Sequence, residues 1–150
     1  MSQSLSSILV HVIFSTKSRI PFIKPEIQKE LHNYMCGIAR SYESFVHQVG
    51  GIEDHVHLFI TLPRVMPLSK LVEEIKKSSS KWIKEKGIDY RDFAWQRGYG
   101  AFSIGHSSFD ALCHYIQNQQ EHHKRISFQD EYRSFLRKYA IEFDEKYVWD

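Results

Sequence analysis

Two amphipathic helical stripes, each lying between short runs of β-branched and aromatic residues, set most of what this chain can fold into. Residues 7–15 (SILVHVIFS) are rich in Ile, Val and Phe and read as a buried strand. Pro25 sits where a helix starts, a position that suits its fixed φ and missing N–H, and Ile27, Leu31, Met35 and Ile38 then recur at helical spacing. Residues 44–49 predict a second strand that stops at the Gly50-Gly51 turn signal, and residues 55–62 (HVHLFITL) a third, ended by Pro63. Pro67 and Ser69 open a second helix, in which Leu68, Leu71, Val72, Ile75, Trp82 and Ile83 form one apolar stripe, and Gly87 closes it. A loop over residues 90–100, rich in glycine and aromatics, leads into a short strand over residues 101–104.

A β-α-β-β-α-β order of this kind predicts an α+β fold. The expected sheet is ferredoxin-like (RRM-like) and antiparallel, with both crossover helices packed on one face, plus C-terminal helices. Ser107 or Ser108 is placed to cap the first of these, with Asp110 favourable in its opening turn, and a further helix is expected over residues 128–140. A length of 150 residues, with no repeat or linker, predicts that 1–150 is a single domain.

Composition removes several function classes. An apolar fraction of 42% with 25% charged residues is enough to bury a core, so disorder is not expected. Cys36 and Cys113 form no CxxC pair, which argues against a thiolate zinc site or a disulfide framework and fits a reducing, cytoplasmic compartment. The first residues lack a basic region followed by an apolar one, and no apolar run approaches the ~18 residues of a membrane span, so no membrane partner is expected. The net charge of +2 decides little by itself, but residues 70–86 hold six lysines against three glutamates while the last nine residues are acidic.

Four features carry chemistry. In His55-Val56-His57, strand alternation sends both imidazoles to one side, about 7 Å apart at the backbone, where they can converge on one divalent ion. Taken alone, the same pair equally describes two histidines on a solvated sheet face. Tyr115 and Gln119 are four apart on the predicted third helix and share a face, with His122 and His123 following. A phenol becomes a competent nucleophile when a cation polarises its phosphodiester target, and Gln119 offers a neutral oxygen ligand one turn away. Lys76, Lys77 and Lys81 lie mostly off the apolar stripe of their helix and can face a phosphate backbone, or can simply be solvated. In Trp95-Gln96-Arg97-Gly98-Tyr99-Gly100, Arg97 can meet phosphate, whereas Trp95 reads better as a pin into the core.

Together these residues resemble the single-tyrosine transposases of small bacterial insertion sequences, of the HUH class (His, hydrophobic residue, His). The likeness runs through HVIFSTKSR, EDHVHLFI, LSKLVEEIKKSSSKWI, WQRGYGAFS and YIQNQQEHHKRISFQDEY, nearly the whole chain. It implies that Tyr115 is the nucleophile and that His55, His57 and Gln119 hold a divalent metal, Mg²⁺ or Mn²⁺. It further implies cleavage and rejoining of single-stranded DNA with hairpin ends through a 5′-phosphotyrosine link, with no nucleotide cofactor. The same resemblance implies a homodimer in which the tyrosine helix of one subunit can complete the site of the other. Lys76, Lys77, Lys81 and Arg97 are the expected DNA contacts. Two other functions share parts of this pattern. A related endonuclease acting on chromosomal palindromes would use the same chemistry. A non-catalytic single-stranded nucleic-acid-binding module of the same topology would carry stacking aromatics on its central strands, where this chain has His55 and His57.

Overall fold

The computed structural model describes residues 2–150. Four strands, β1 (Leu9–Ser15), β2 (Phe45–Ile52), β3 (His55–Thr61) and β4 (Gly100–Ile104), form one sheet in the order β2-β3-β1-β4. All three pairings are antiparallel. Helices α1 (Pro25–Ser41) and α2 (Leu68–Lys84) make the two crossovers and lie on the same face, as the order of elements predicts. There Leu31, Met35, Leu71 and Ile75 pack on Val12, Phe14, Val56 and Leu58. Trp82, expected within the α2 stripe, sits at its edge and stacks on Tyr34.

The opposite face is also covered. Leu9, His11, Ile13, His55, His57, Phe59 and Phe102 point towards α3 (Phe109–Gln117), α4 (Gln119–His122) and α5 (Phe128–Lys138), with Leu112, Ile116, Phe128, Tyr132 and Leu136 closing over them. Burial on both faces explains why β1 and β3 read as nearly continuous apolar runs instead of a clean alternation. Among the described residues, no helix is long and apolar enough to cross a membrane.

Several local departures from the sequence expectations lie near the second face. Strand β2 does not stop at Gly50-Gly51 but runs on to Ile52, so that Gly50 pairs with His57 and Ile52 with His55. Glycine at position 50 serves close packing instead of a turn: a Cβ there would collide with the Ile116 carbonyl oxygen of α3. Across the sheet, His57 pairs with Ile13 and Ile13 with Gly100, where a Cβ would lie 2.8 Å from the Tyr132 ring of α5. Glycines thus end the row that contains His57 on both sides, and the covering helices can press down around it. Gly50→Ala is expected to cost about 1–3 kcal/mol, because the contact is to backbone and cannot relax by a rotamer change. Urea unfolding checks this, and an unchanged midpoint would show that α3 does not rest on the strand.

The predicted third helix is divided. Asn118, with φ −99° and ψ 22°, separates α3 from α4, so Tyr115 and Gln119 end up on two short helices instead of one. Asn tolerates that bridge-like geometry and is a weak helix former. Ser108 occupies the position before α3 but makes no side-chain cap; the turn His106–Ser108 leads in instead. At α5 the Ser127 hydroxyl accepts from the Asp130 N–H (3.1 Å), and the helix ends before residue 140, where Ala140 turns to a φ of +54°. The tail then folds back: Val148 and Trp149 join the α5 cluster, and the Asp150 carbonyl accepts from the Gly98 N–H at 2.9 Å.

Candidate active site

Alternation along β3 sends His55 and His57 to the face under α3–α5, where both are fully buried. They are not on a solvated surface. Each ring is held from behind. The Asp54 carboxylate lies 2.8 Å from His55 Nδ1, leaving Nε2 to face the Gln119 Oε1 at 2.9 Å. His11 Nε2 lies 2.8 Å from His57 Nδ1, and His57 Nε2 faces Glu131 Oε1 at 3.0 Å. A third imidazole joins them: His123 gives its Nδ1–H to the Ile126 carbonyl (2.8 Å), so its Nε2 faces Gln119 Oε1 at 2.8 Å and Glu131 Oε1 at 3.2 Å. Gln119 is oriented by its own amide, which donates to Glu131 Oε2 at 3.0 Å.

The donor set fits a divalent cation. Ligand atoms of His55, His57, His123 and Glu131 all lie within 4.8 Å of one another. With Nδ1 of His55 and of His123 engaged outward, their Nε2 atoms converge on the oxygens of Gln119 and Glu131, which are acceptors. Such a centre requires either extra protons or one cation to hold it together. Mixed imidazole and oxygen donors suit several first-row ions. Burial pushes His57 down to about 4 against the opposing pull of Glu131, so at neutral pH it is a neutral imidazole with one N–H and one lone pair. Burial alone would raise Glu131, but hydrogen bonds from His123 and His57 hold it well below the usual carboxylate range.

Tyr115, near the end of α3, reaches this centre within its own chain. Its hydroxyl donates to Glu131 Oε2, and His122 Nε2 lies 3.2 Å away. Burial first, and then the Glu131 charge, push the phenol up, so it is a neutral donor at rest. It also faces a pocket of about 440 Å³ between α3 and α5, whose walls include Ser108, Ser134, Phe135, Lys138 and Tyr139. Glu131 and His122 line the same pocket, so a group seated there lies against the phenol and its two hydrogen-bond partners together.

The structure therefore brings Tyr115, His55, His57 and Gln119 together. It does not bring the basic residues to them. Helix α2 packs on the other face of the sheet, and Lys76 is committed to the loop: its ammonium donates to the carbonyls of Gln96 (2.9 Å), Arg97 (3.1 Å) and Gly98. Lys77 and Lys81 project from the same helix into solvent. Trp95 is a pin into the core, donating to Ser79 Oγ at 3.0 Å and packed between Phe14 and Phe93.

His11, His123 and Glu131 are site neighbours that the motif reading did not assign. Glu131 carries a legible signal, since it interrupts the α5 stripe of Phe128, Tyr132, Phe135 and Leu136 with a charge at a buried position. His11 sits similarly inside a fully buried strand, on the same side as Ile13.

A family model described as IS200-like transposase matches residues 4–119. No curated protein matches the sequence. Among solved structures, a candidate transposase from Deinococcus radiodurans R1 superposes with a TM-score of 0.62 at 19% identity, covering 79% of this chain and 98% of that one. A REP-associated tyrosine transposase bound to a REP hairpin gives a TM-score of 0.61 at 17% identity, covering 84% of this chain and 76% of that one. At such identities the two structures establish a shared fold, while the family match spans most of the sequence. The chain belongs to the family of IS200-like transposases.

Proposed function

We propose that this protein cleaves and rejoins single-stranded DNA through Tyr115, beside a divalent cation held by His55, His57 and Gln119 with His123 and Glu131. The observation that carries the reading is the position of Glu131. One of its oxygens takes the Tyr115 hydroxyl and the other lies 3.0 Å from His57 Nε2, 74 positions away in the sequence, which joins nucleophile and imidazoles in one chain.

In the forward step the Tyr115 oxygen forms a bond to phosphorus and the bond from phosphorus to the 3′ oxygen breaks. The product is a 5′-phosphotyrosine and a free 3′-hydroxyl. The phenol proton leaves along its existing hydrogen bond towards Glu131 Oε2, and the departing 3′ oxygen takes up a proton. Rejoining is the reverse, with an incoming 3′-hydroxyl displacing the tyrosine, so the bond energy is retained and no nucleotide is spent. When bound, Mg²⁺ or Mn²⁺ supplies Lewis-acid stabilisation of charge on the scissile phosphate. The side chains themselves orient the phenol, exclude water and keep the imidazole lone pairs converged.

A homodimer belongs to the same reading, because exchange of two element ends calls for two tyrosines. Tyr115 lies beside His57 and Glu131 of its own chain, an arrangement that supports cleavage in cis. The resemblance to a fold seen with a hairpin supports a hairpin substrate. Lys77, Lys81 and Arg97 are assigned to its phosphates, with Lys76 holding the Arg97 loop in shape. Lys77→Glu with Lys81→Glu is expected to weaken hairpin binding and to reduce the slope of log K against log salt by about 0.7–0.9 per lost contact. A titration at several salt concentrations reads this; an unchanged slope removes both lysines from the interface.

The catalytic proposal is tested by incubating the protein with end-labelled single-stranded hairpin DNA and Mn²⁺. An adduct that survives denaturation is expected, and chelation should prevent it. Hairpin binding without any adduct over a range of sequences and both metals would leave a binding module in place of an enzyme.

A further inference from the structure

His11 lies on β1, fully buried, with its ring nearly coplanar with that of His57, at a centroid distance of 5.1 Å and an interplanar angle of 23°. Its Nε2 meets His57 Nδ1 at 2.8 Å, and its other nitrogen, Nδ1, is buried with no partner. Phe102 and Phe135 close on the ring edge-to-face, at 6.3 and 5.1 Å.

Two neutral imidazoles joined by one N–H···N bond have two consistent tautomer pairs. In the first, His57 carries its proton on Nε2, gives it to Glu131 Oε1, and accepts from His11 Nε2–H. In the second, His57 carries its proton on Nδ1, donates it to His11 Nε2, and turns its Nε2 lone pair to the cluster, while the His11 proton moves to Nδ1. Only the second lets His57 ligate a cation through the nitrogen that faces Glu131, His55 and His123. We propose that His11 is a positioning residue, which holds His57 in its cation-binding tautomer and orientation by accepting the His57 Nδ1–H.

Packing alone does not account for a histidine at this position. A phenylalanine would fill the space between Phe102 and Phe135 and would leave no orphaned nitrogen, whereas a buried unpartnered polar atom carries a penalty. The group that earns the position is Nε2. Ligating histidines ordinarily lean on a carboxylate, carbonyl or water through the second ring nitrogen. His55 does so through Asp54 and His123 through Ile126, and His57 has His11 in that place.

The inference rests on the reading of the cluster as a metal site, and the experiment separates the two. Mn²⁺ affinity is measured by calorimetry for the wild type, His57→Ala, His11→Phe and His11→Gln. Glutamine places an amide oxygen near the Nε2 position and can accept the same N–H. His57→Ala should abolish binding, His11→Phe should weaken it about 10–100-fold, and His11→Gln should recover most of the loss. If wild type and His57→Ala bind alike, the metal site itself is misassigned. If His57→Ala loses binding while His11→Phe keeps it, or if glutamine restores nothing, the role of His11 alone falls. Long-range ¹⁵N–¹H spectra of the wild type with saturating Mg²⁺ give an answer that needs no variant: both His57 and His11 should be protonated on Nδ1. A His11 proton on Nε2 under those conditions would overturn the proposal.

Discussion

Tyr115→Phe is expected to eliminate the covalent protein–DNA adduct while leaving hairpin affinity and fold in place. The substitution removes one oxygen, and that oxygen is the atom assigned to bond formation. No residual route through the same ring exists, so the loss in adduct formation should be on the order of 10⁴-fold or more, typical of deleting a nucleophile. The structural cost should be small by comparison. Glu131 loses one hydrogen-bond donor but keeps those from His57, His123 and the Gln119 amide, so the carboxylate stays satisfied. A change of about 1–2 kcal/mol in unfolding free energy is expected. The measurement is a denaturing gel of labelled hairpin beside a thermal melt. An adduct that persists would move the chemistry to another phenol. Tyr132 is the nearest in sequence to the cluster, yet its ring packs beside Gly100 and Trp149, and Tyr139 donates to the Ser103 carbonyl.

How the chain builds this site explains what its sequence discloses. The sheet and its two crossover helices follow from periodicity, because each stripe of apolar residues has one place to go. The positions of His55 and His57 follow from strand alternation alone. What periodicity does not announce is the cover. Sheet strands with polar residues on one side usually present that side to water, and here α3–α5 bury it. The evidence for burial lies in residues that look like exceptions: Gly50 and Gly100 at the ends of the His57 row, His11 within a run of valines, and Glu131 within an aromatic stripe. Each breaks a local rule, and each touches the cluster or the helices above it.

The basic residues show the converse. Lys76 stands out in the sequence as a cation turned away from the apolar stripe, and its ammonium instead gathers three carbonyls of the loop that carries Arg97. Charge on a helix face reports that a side chain escapes the core. Its partner depends on which loop returns past that face, and that is a tertiary fact. Because α2 and the histidine cluster lie on opposite faces, the proposed function requires a hairpin held on α2 and the loop to send its cleaved strand around an edge of the sheet to reach Tyr115.

Glu131 is the residue whose loss should propagate furthest. Its carboxylate is almost fully buried and is touched by the Tyr115 hydroxyl, the Gln119 amide and the Nε2 atoms of His57 and His123. Glu131→Ala removes the carboxylate at the centre of this group and leaves several donors facing a cavity. A loss of about 3–5 kcal/mol is expected, as when one partner of a buried charged network is removed. Glu131→Gln separates charge from shape. The amide keeps the volume and one acceptor, so the fold should survive with a smaller loss, but it offers a cation a neutral oxygen in place of an anionic one and accepts the phenol proton poorly. Mn²⁺ affinity should fall by at least about tenfold and adduct formation by more. Calorimetry and the adduct assay on the same preparation read both quantities. If Glu131→Gln binds Mn²⁺ as the wild type does and loses only the adduct, the carboxylate serves the phenol alone and the cation is held by the imidazoles and Gln119. If neither quantity changes, the link between Tyr115 and the histidines does not run through Glu131, and the geometry on which the catalytic reading stands is not the one the enzyme uses.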